Sequence, residues 1–404
     1  MDMPPALDNA LLLRQPILDA KQEPAGYALH FVGAGAPGVD AAFAELGLGA
    51  ALANRPVLLR ADARLIMDEI VERLPADVIL ELDLAGALDA ALLDRCRALR
   101  AGGRALALPA DTDDAGRAAL LPLADVVGVD ARADDAELAA RVADLAGAAD
   151  GRRPRILADG VDTRERMARC RELGCDLFRG FHFARPRPVE GRGMNTSQLG
   201  IIRLLNQVAR EADAHDLEEG FKREPGLTVN LLRLVNSVGV GAAQKVDSLR
   251  HAIAILGRKQ LLRWLQLLLM ASPSGGAPER DPLLQLAAQR GGLMERLAAL
   301  RAPADRALAE EAFLVGVMSL MPAALGQPIE DILAQIPVAE PVHRALAARE
   351  GELGPLLALV EALDDGDAAR CDALLAGLPP LARGSVTASL CAVLVWLHGD
   401  RENA

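Results

Sequence analysis

Cys175-Asp-Leu-Phe-Arg-Gly-Phe-His-Phe-Ala-Arg-Pro186 is the stretch on which the fold turns. Phe181–Phe183 within it is the last of eight short apolar runs. The others are Leu11–Leu13, Ala28–Val32, Val57–Leu59, Val78–Leu82, Ala105–Leu108, Val126–Val129 and Ile156–Ala158. Segments with helical spacing lie between most of them: Ala63–Leu74, Ala87–Arg100, Asp134–Leu145 and Asp162–Leu173. Continuous apolar strands separated by amphipathic helices imply a parallel sheet, covered on both faces or closed on itself. Eight runs fit a closed (β/α) barrel better than an open sheet, and chemistry would then sit at the C-terminal ends of the strands.

The texture changes after this stretch. Arg185-Pro-Arg-Pro188 and Glu190-Gly-Arg-Gly193 suit neither helix nor strand. Beyond them helix follows helix, with apolar residues three and four apart over Leu199–Val208, Thr228–Val238, Ser248–Leu256 and Lys259–Met270. Ser272-Pro-Ser-Gly-Gly-Ala-Pro278 reads as a loop. Further helical patterns follow near Leu283–Leu300, Leu308–Leu320, Leu356–Leu363 and Ser385–Leu397. The expectation is an α/β barrel domain over residues 1–190 and an all-α domain over residues 195–398.

Composition narrows the function classes. A formal net charge of -12 gives no basic footprint for nucleic acid. The five cysteines show no CxxC spacing and no disulfide framework, which suits buried thiols in a reducing cytoplasm. The opening residues contain Asp2 and Asp8 and no basic n-region, so no signal peptide is expected. Leu261–Ala271, the most apolar later run, carries Arg263 and Gln266 and falls short of the ~18 residues of a membrane span. A cytoplasmic protein without membrane partners is expected.

The 175–186 stretch resembles the signature that closes the barrel of EAL domains, bacterial phosphodiesterases that cleave cyclic di-GMP. Arg14-Gln-Pro-Ile17 resembles the family's opening strand, Gly26-Tyr27 precedes the name-giving motif, and Val161-Asp-Thr163 resembles its late Val-Glu-Thr motif. The resemblance covers roughly residues 10–190. It implies a TIM-like barrel and a two-metal site in which carboxylates and an Asn hold divalent cations, with the oxygen ligands such hard cations demand.

Several positions depart from that pattern. Ala28 stands for the Glu of the Glu-Ala-Leu motif, Arg60 for the Asn, and Pro109 and Ala110 for the paired aspartates. Gly128 stands for the lysine and Arg179 for the water-orienting Gln. Glu81 remains, with Asp159 and Asp162 in place of two glutamates. Val32 occupies the position of the arginine that grips the dinucleotide's phosphates. These losses lead to the expectation of a degenerate scaffold that is not an enzyme, binds no metal or other cofactor, and binds cyclic di-GMP poorly.

Asp111-Thr-Asp-Asp114 lacks EF-hand spacing and reads as a solvated turn. Gly33-Ala-Gly-Ala-Pro-Gly38 lacks a phosphate loop's Gly-Lys-Ser/Thr ending and reads as a flexible connection.

In the second half, Leu231-Leu-Arg-Leu-Val-Asn-Ser237 and Val246–Gly257 resemble the HDOD domain, a relative of HD phosphohydrolases that lacks their metal-binding histidines. His215-Asp216 matches the hydrolase dipeptide, but its acidic surroundings suit a helix start. Trp264 is the candidate interaction residue, against a reading as core. The function expected is a non-catalytic signalling protein whose two domains bind partner proteins. The alternative is a weak cyclic di-GMP phosphodiesterase or an HD-type metal-dependent phosphohydrolase.

Overall fold

The computed structural model describes residues 4–52, 55–83, 88–147, 153–185, 196–224, 227–228, 231, 248–270, 280–336 and 338–398. The chain divides into two compact units, one of Met1–Arg185 with Ala358–Gly399 and one of Pro186–Leu357 with Asp400–Ala404.

The first unit holds a closed eight-stranded barrel in sequential order. Its strands are β1 (Leu11–Asp19), β2 (Pro24–Val32), β3 (Val57–Asp62), β4 (Val78–Asp83), β5 (Leu106–Leu108), β6 (Val126–Asp130), β7 (Arg155–Asp159) and β8 (Leu177–Arg179). Pairing is parallel from β2 through β8, whereas β1 runs antiparallel to both of its neighbours. The sheet is therefore not wholly parallel as expected. No helix separates β1 from β2; Asp19 closes the connection by accepting from the amides of Lys21 and Glu23, an Asx-type turn that reverses the chain.

The last strand differs from its expected place. It is Leu177–Arg179, while Phe181–Phe183 form a buried turn. Gly180 separates the two, and a Cβ there would lie 2.2 Å from the Val161 carbonyl oxygen. Only glycine permits that approach, so the main chain leaves the sheet there. Gly35–Asp40 is helical, where a flexible connection was expected.

Acidic and hydroxyl residues start the helices that follow the strands. Asp62, Asp89, Asp113, Asp134 and Thr163 each accept a backbone amide at the N-cap. Asp113 thus accounts for part of the Asp111–Asp114 cluster. All five cysteines are buried and free.

The helix Arg383–His398 packs in the barrel unit and covers β1. Thr387, fully buried, donates to the Ala10 carbonyl (2.7 Å) and accepts from the Leu12 amide (2.9 Å). The Tyr27 hydroxyl lies 2.9 Å from His398 Nε2. A hairpin without its own crossover helix leaves an outer face bare, and this C-terminal helix supplies the cover. The contiguous division at residue 190 thus differs from the packing, in which Ala358–Gly399 returns to the barrel.

The second unit is helical: Thr196–Ala209, Ala214–Lys222, Leu249–Met270, Pro282–Arg301, Arg306–Met318 and shorter helices. Gly257 breaks Leu249–Met270 with non-helical φ 69° and ψ 163°, in keeping with the two segments read from sequence. Among the described residues, only Arg306–Leu325 has the length and apolarity to cross a membrane. Its apolar window is 56% buried in the fold, as in a core helix. Residues 232–247, and residues 271–279 where a loop was expected, lie outside the described residues.

Candidate functional site

Strand alternation assembles the site. Leu58, Ile79, Leu157 and Leu177 pack in the barrel's apolar interior. Two residues further along the same strands stand Arg60, Glu81, Asp159 and Arg179. Side chains two apart share a face, so four ionised groups form a layer above the apolar one, at the C-terminal ends of β3, β4, β7 and β8. Register reinforces this: Arg60 pairs with Glu81, and Asp159 with Arg179.

Above this layer opens a cavity of about 450 Å³ lined by Ala28, His30, Arg60, Glu81, Asp159, Asp162 and Arg179, among others. A smaller one of about 250 Å³ shares Arg60, Asp159 and Arg179 and adds Pro109, Ala110 and Asp111. The structure thus gathers Ala28, Arg60, Glu81, Pro109, Ala110, Asp159, Asp162 and Arg179 around the mouth, whereas Val32 and Gly128 line neither cavity. The sequence reading missed His30, Arg132, Arg185 and the Asp365–Gly366 corner. The first was legible from its place two residues after Ala28 on one strand. Asp365–Gly366 comes from a distant segment and left no local signal.

Arg179 is the centre of the layer. Its Nη1 donates to both oxygens of Glu81 (2.9 and 3.1 Å). Its Nε and Nη2 donate to the two oxygens of Asp159 (2.8 and 2.6 Å). The arginine side chain is 8% exposed and that of Glu81 3%. Burial opposes the guanidinium's charge, but Glu81 and Asp159 outweigh it and raise the pKa. For Asp159, burial pushes upward, yet the hydrogen bonds and charge of Arg179, with Arg132, hold the carboxyl below its ordinary value. Fork-to-carboxylate geometry of this kind is the strong form of the ion pair.

Arg60 donates to Asp83 at 2.7 Å and stands 4.0 Å from Asp111. His30 is lowered by burial, then by the neighbouring Arg60, so its imidazole is neutral at physiological pH. Arg132 and Arg185 border the mouth beside Asp130 and Asp162. Gly128 has a steric reason: a Cβ would sit 2.6 Å from the Ala110 amide nitrogen, so the main chain of Pro109-Ala110 fills the space a lysine would need.

These residues do not fit a pair of divalent cations. Ala28, Pro109 and Ala110 offer no side-chain oxygen, and both carboxylates below the mouth spend their oxygens on Arg179. No group of three or more His, Cys, Asp or Glu among the described residues is placed to hold a metal. His215-Asp216 lies in the first turn of Ala214–Lys222, where Asp213 accepts both of their backbone amides. Trp264 is half-buried and stacks on Phe221, ring centroids 6.4 Å apart. Asn236 and Ser237 fall outside the described residues.

Residues 196–327 match the HDOD domain family. The chain is therefore a closed eight-stranded barrel followed by a helical region that matches the HDOD domain family. Among curated proteins it is 30% identical over 220 residues to the cyclic di-GMP phosphodiesterase CdgJ of Vibrio cholerae, covering 54% of this chain and 50% of that protein. It is 27% identical over 221 residues to the uncharacterized protein YuxH of Bacillus subtilis, covering 54% and 53%. The chain spans about half the length of the curated relatives it matches. Among solved structures it is similar to an EAL domain protein from Listeria monocytogenes, with 16% identity, a TM-score of 0.34, and coverage of 46% of this chain and 94% of that one.

One expectation is corrected by this comparison. The lost ligands led to a chain that is not an enzyme, whereas the relative at 30% identity is named a phosphodiesterase. The losses at Ala28, Pro109 and Ala110 describe one metal-holding arrangement. They do not remove the cations, carboxylates and imidazole that remain at the mouth.

Proposed function

We propose that this chain is a weak cyclic di-GMP phosphodiesterase whose barrel mouth takes the dinucleotide, with the HDOD domain as a protein-binding module. The observation that carries the reading is the 30% identity to a relative named for that activity. The mouth's chemistry supports it. Arg60, Arg132 and Arg185 border a cavity of about 450 Å³, and cations around a phosphodiester offset the charge that develops as it is attacked. Cleavage needs a water oxygen to bond to phosphorus while the bond to the sugar oxygen breaks. The neutral His30 imidazole is suited to take the water's proton, and the departing oxygen regains one from solvent. Weakness follows from the same geometry. Each missing charge-stabilising group costs about 10²–10³ in rate, and Val32 offers no fork to a phosphate.

Purified full-length chain incubated with cyclic di-GMP at near-equimolar ratio should yield linear dinucleotide slowly, resolved by chromatography. His30→Ala should slow that reaction. Product no faster than in a protein-free control, with wild type and variant alike, would end this reading.

A further inference from the structure

We infer that the guanidinium of Arg179 takes the place of a divalent cation in this barrel, so that the carboxylates beneath the mouth are neutralised by the chain itself. Asp159 comes from β7, the paired neighbour of β8, and Glu81 from β4 across the barrel, each two residues beyond an apolar residue of the interior, Leu157 and Ile79. Glu81 is buried and Asp159 is about three-quarters buried, and a buried carboxylate left without a cation is strongly unfavourable. Arg179 meets that need with four nitrogen–oxygen contacts of 2.6–3.1 Å.

The same contacts exclude a metal from those oxygens. A magnesium or calcium ion needs six or more oxygen ligands at about 2.0–2.6 Å. Here all four carboxylate oxygens face a fixed positive group, and Arg60 stands beside Glu81 on the neighbouring strand. No further side-chain ligand arrives from Ala28, Pro109 or Ala110. This inference concerns cation occupancy and stands apart from the proposed activity.

The test is metal binding, read without any assay of turnover. Mn²⁺ titrations followed by electron paramagnetic resonance, with thermal melting in parallel, compare wild type, Arg179→Gln and the double variant Arg179→Gln with Glu81→Gln. Wild type should leave Mn²⁺ free and melt at an unchanged temperature. Arg179→Gln should melt lower, bind Mn²⁺ about ten-fold or more tightly than wild type, and regain melting temperature as the ion is added. The double variant should lose that rescue. Stoichiometric Mn²⁺ bound by wild type and lost on Glu81→Gln would overturn the inference, and this arm decides the matter even if Arg179→Gln does not fold. A folded Arg179→Gln that melts like wild type and ignores Mn²⁺ would overturn it equally.

Discussion

The barrel mouth and the His215–Asp216 turn both gather ionisable residues that resemble parts of phosphohydrolase sites, yet the two differ in what organises them. At the mouth, alternation on four strands drives Arg60, Glu81, Asp159 and Arg179 into one layer, and burial forces them to pair. At the turn, the polar residues are exposed and their order comes from the helix start, where Asp213 accepts the amides of residues 215 and 216. Closeness in sequence created the apparent motif at the turn. Closeness in space, invisible in the linear order, created the cluster in the barrel. A charged cluster carries chemical meaning when the fold has desolvated it and constrained its partners.

The largest expected effect tests whether the barrel holding that cluster is complete without its C-terminal return. The helix Arg383–His398 buries Val386, Leu390, Val393 and Leu394. Each buried aliphatic is worth about 1.5–3 kcal/mol, so the helix contributes on the order of 10 kcal/mol, comparable with the whole stability of a typical domain, about 5–15 kcal/mol. A chain ending at residue 357 should therefore lose cooperative unfolding of the barrel by circular dichroism. A chain whose residues 186–357 are replaced by a flexible Gly/Ser linker should keep it. A truncated chain that still melts cooperatively in both units would show the barrel to be self-sufficient and break this side of the comparison.

A smaller effect concerns His182, three residues beyond Arg179. The imidazole is 2% exposed, and neither ring nitrogen has a hydrogen-bond partner among the described residues. Burial first, then Arg164, lowers its pKa from 6.5 to about 4. The unfolded chain therefore takes up a proton near pH 6.5 and the folded one only near 4. The contribution of the neutral ring is complete above pH 6.5 and is lost as pH falls between these values, at up to about 1.4 kcal/mol per unit. The total is about 3 kcal/mol, and His30, also lowered, adds a slope of the same sign. Urea midpoints measured between pH 6.5 and 5 should fall for wild type and fall less for His182→Leu. Parallel curves for the two proteins would show that His182 does not couple burial to protons.

Much of this architecture was legible in the sequence. Seven of the eight apolar runs mark strands, and with the helices between most of them they announced the barrel, because such runs stay apolar where helices cover one face and the core the other. The mouth positions were legible through the resemblance at Ala28, Arg60, Glu81 and the 175–186 stretch. What the sequence hid were relations between distant residues. Nothing local in Arg179 announced that it would bind carboxylates 98 and 20 positions away. Nothing in Thr387 announced hydrogen bonds to β1, 375 and 377 positions away. The antiparallel β1 was hidden for a different reason, since an apolar run carries no sign of its direction.

The smallest expected effect returns to the turn and sharpens the contrast. If His215 and Asp216 were ligands, replacing either would change metal content and stability together. The geometry instead gives the organising role to Asp213, whose carboxylate is held below its ordinary pKa chiefly by the Asp216 amide and secondarily by the His215 amide. Asp213→Ala removes the side-chain acceptor of those two donors and should lower the melting temperature slightly. Asp213→Asn keeps an N-cap oxygen and should restore most of the loss. His215→Ala should leave both melting temperature and metal content unchanged, because a helix start does not depend on which side chain follows its cap. A His215→Ala variant that lost a stoichiometric metal would place chemistry at the turn after all, and the distinction between the two clusters would fail.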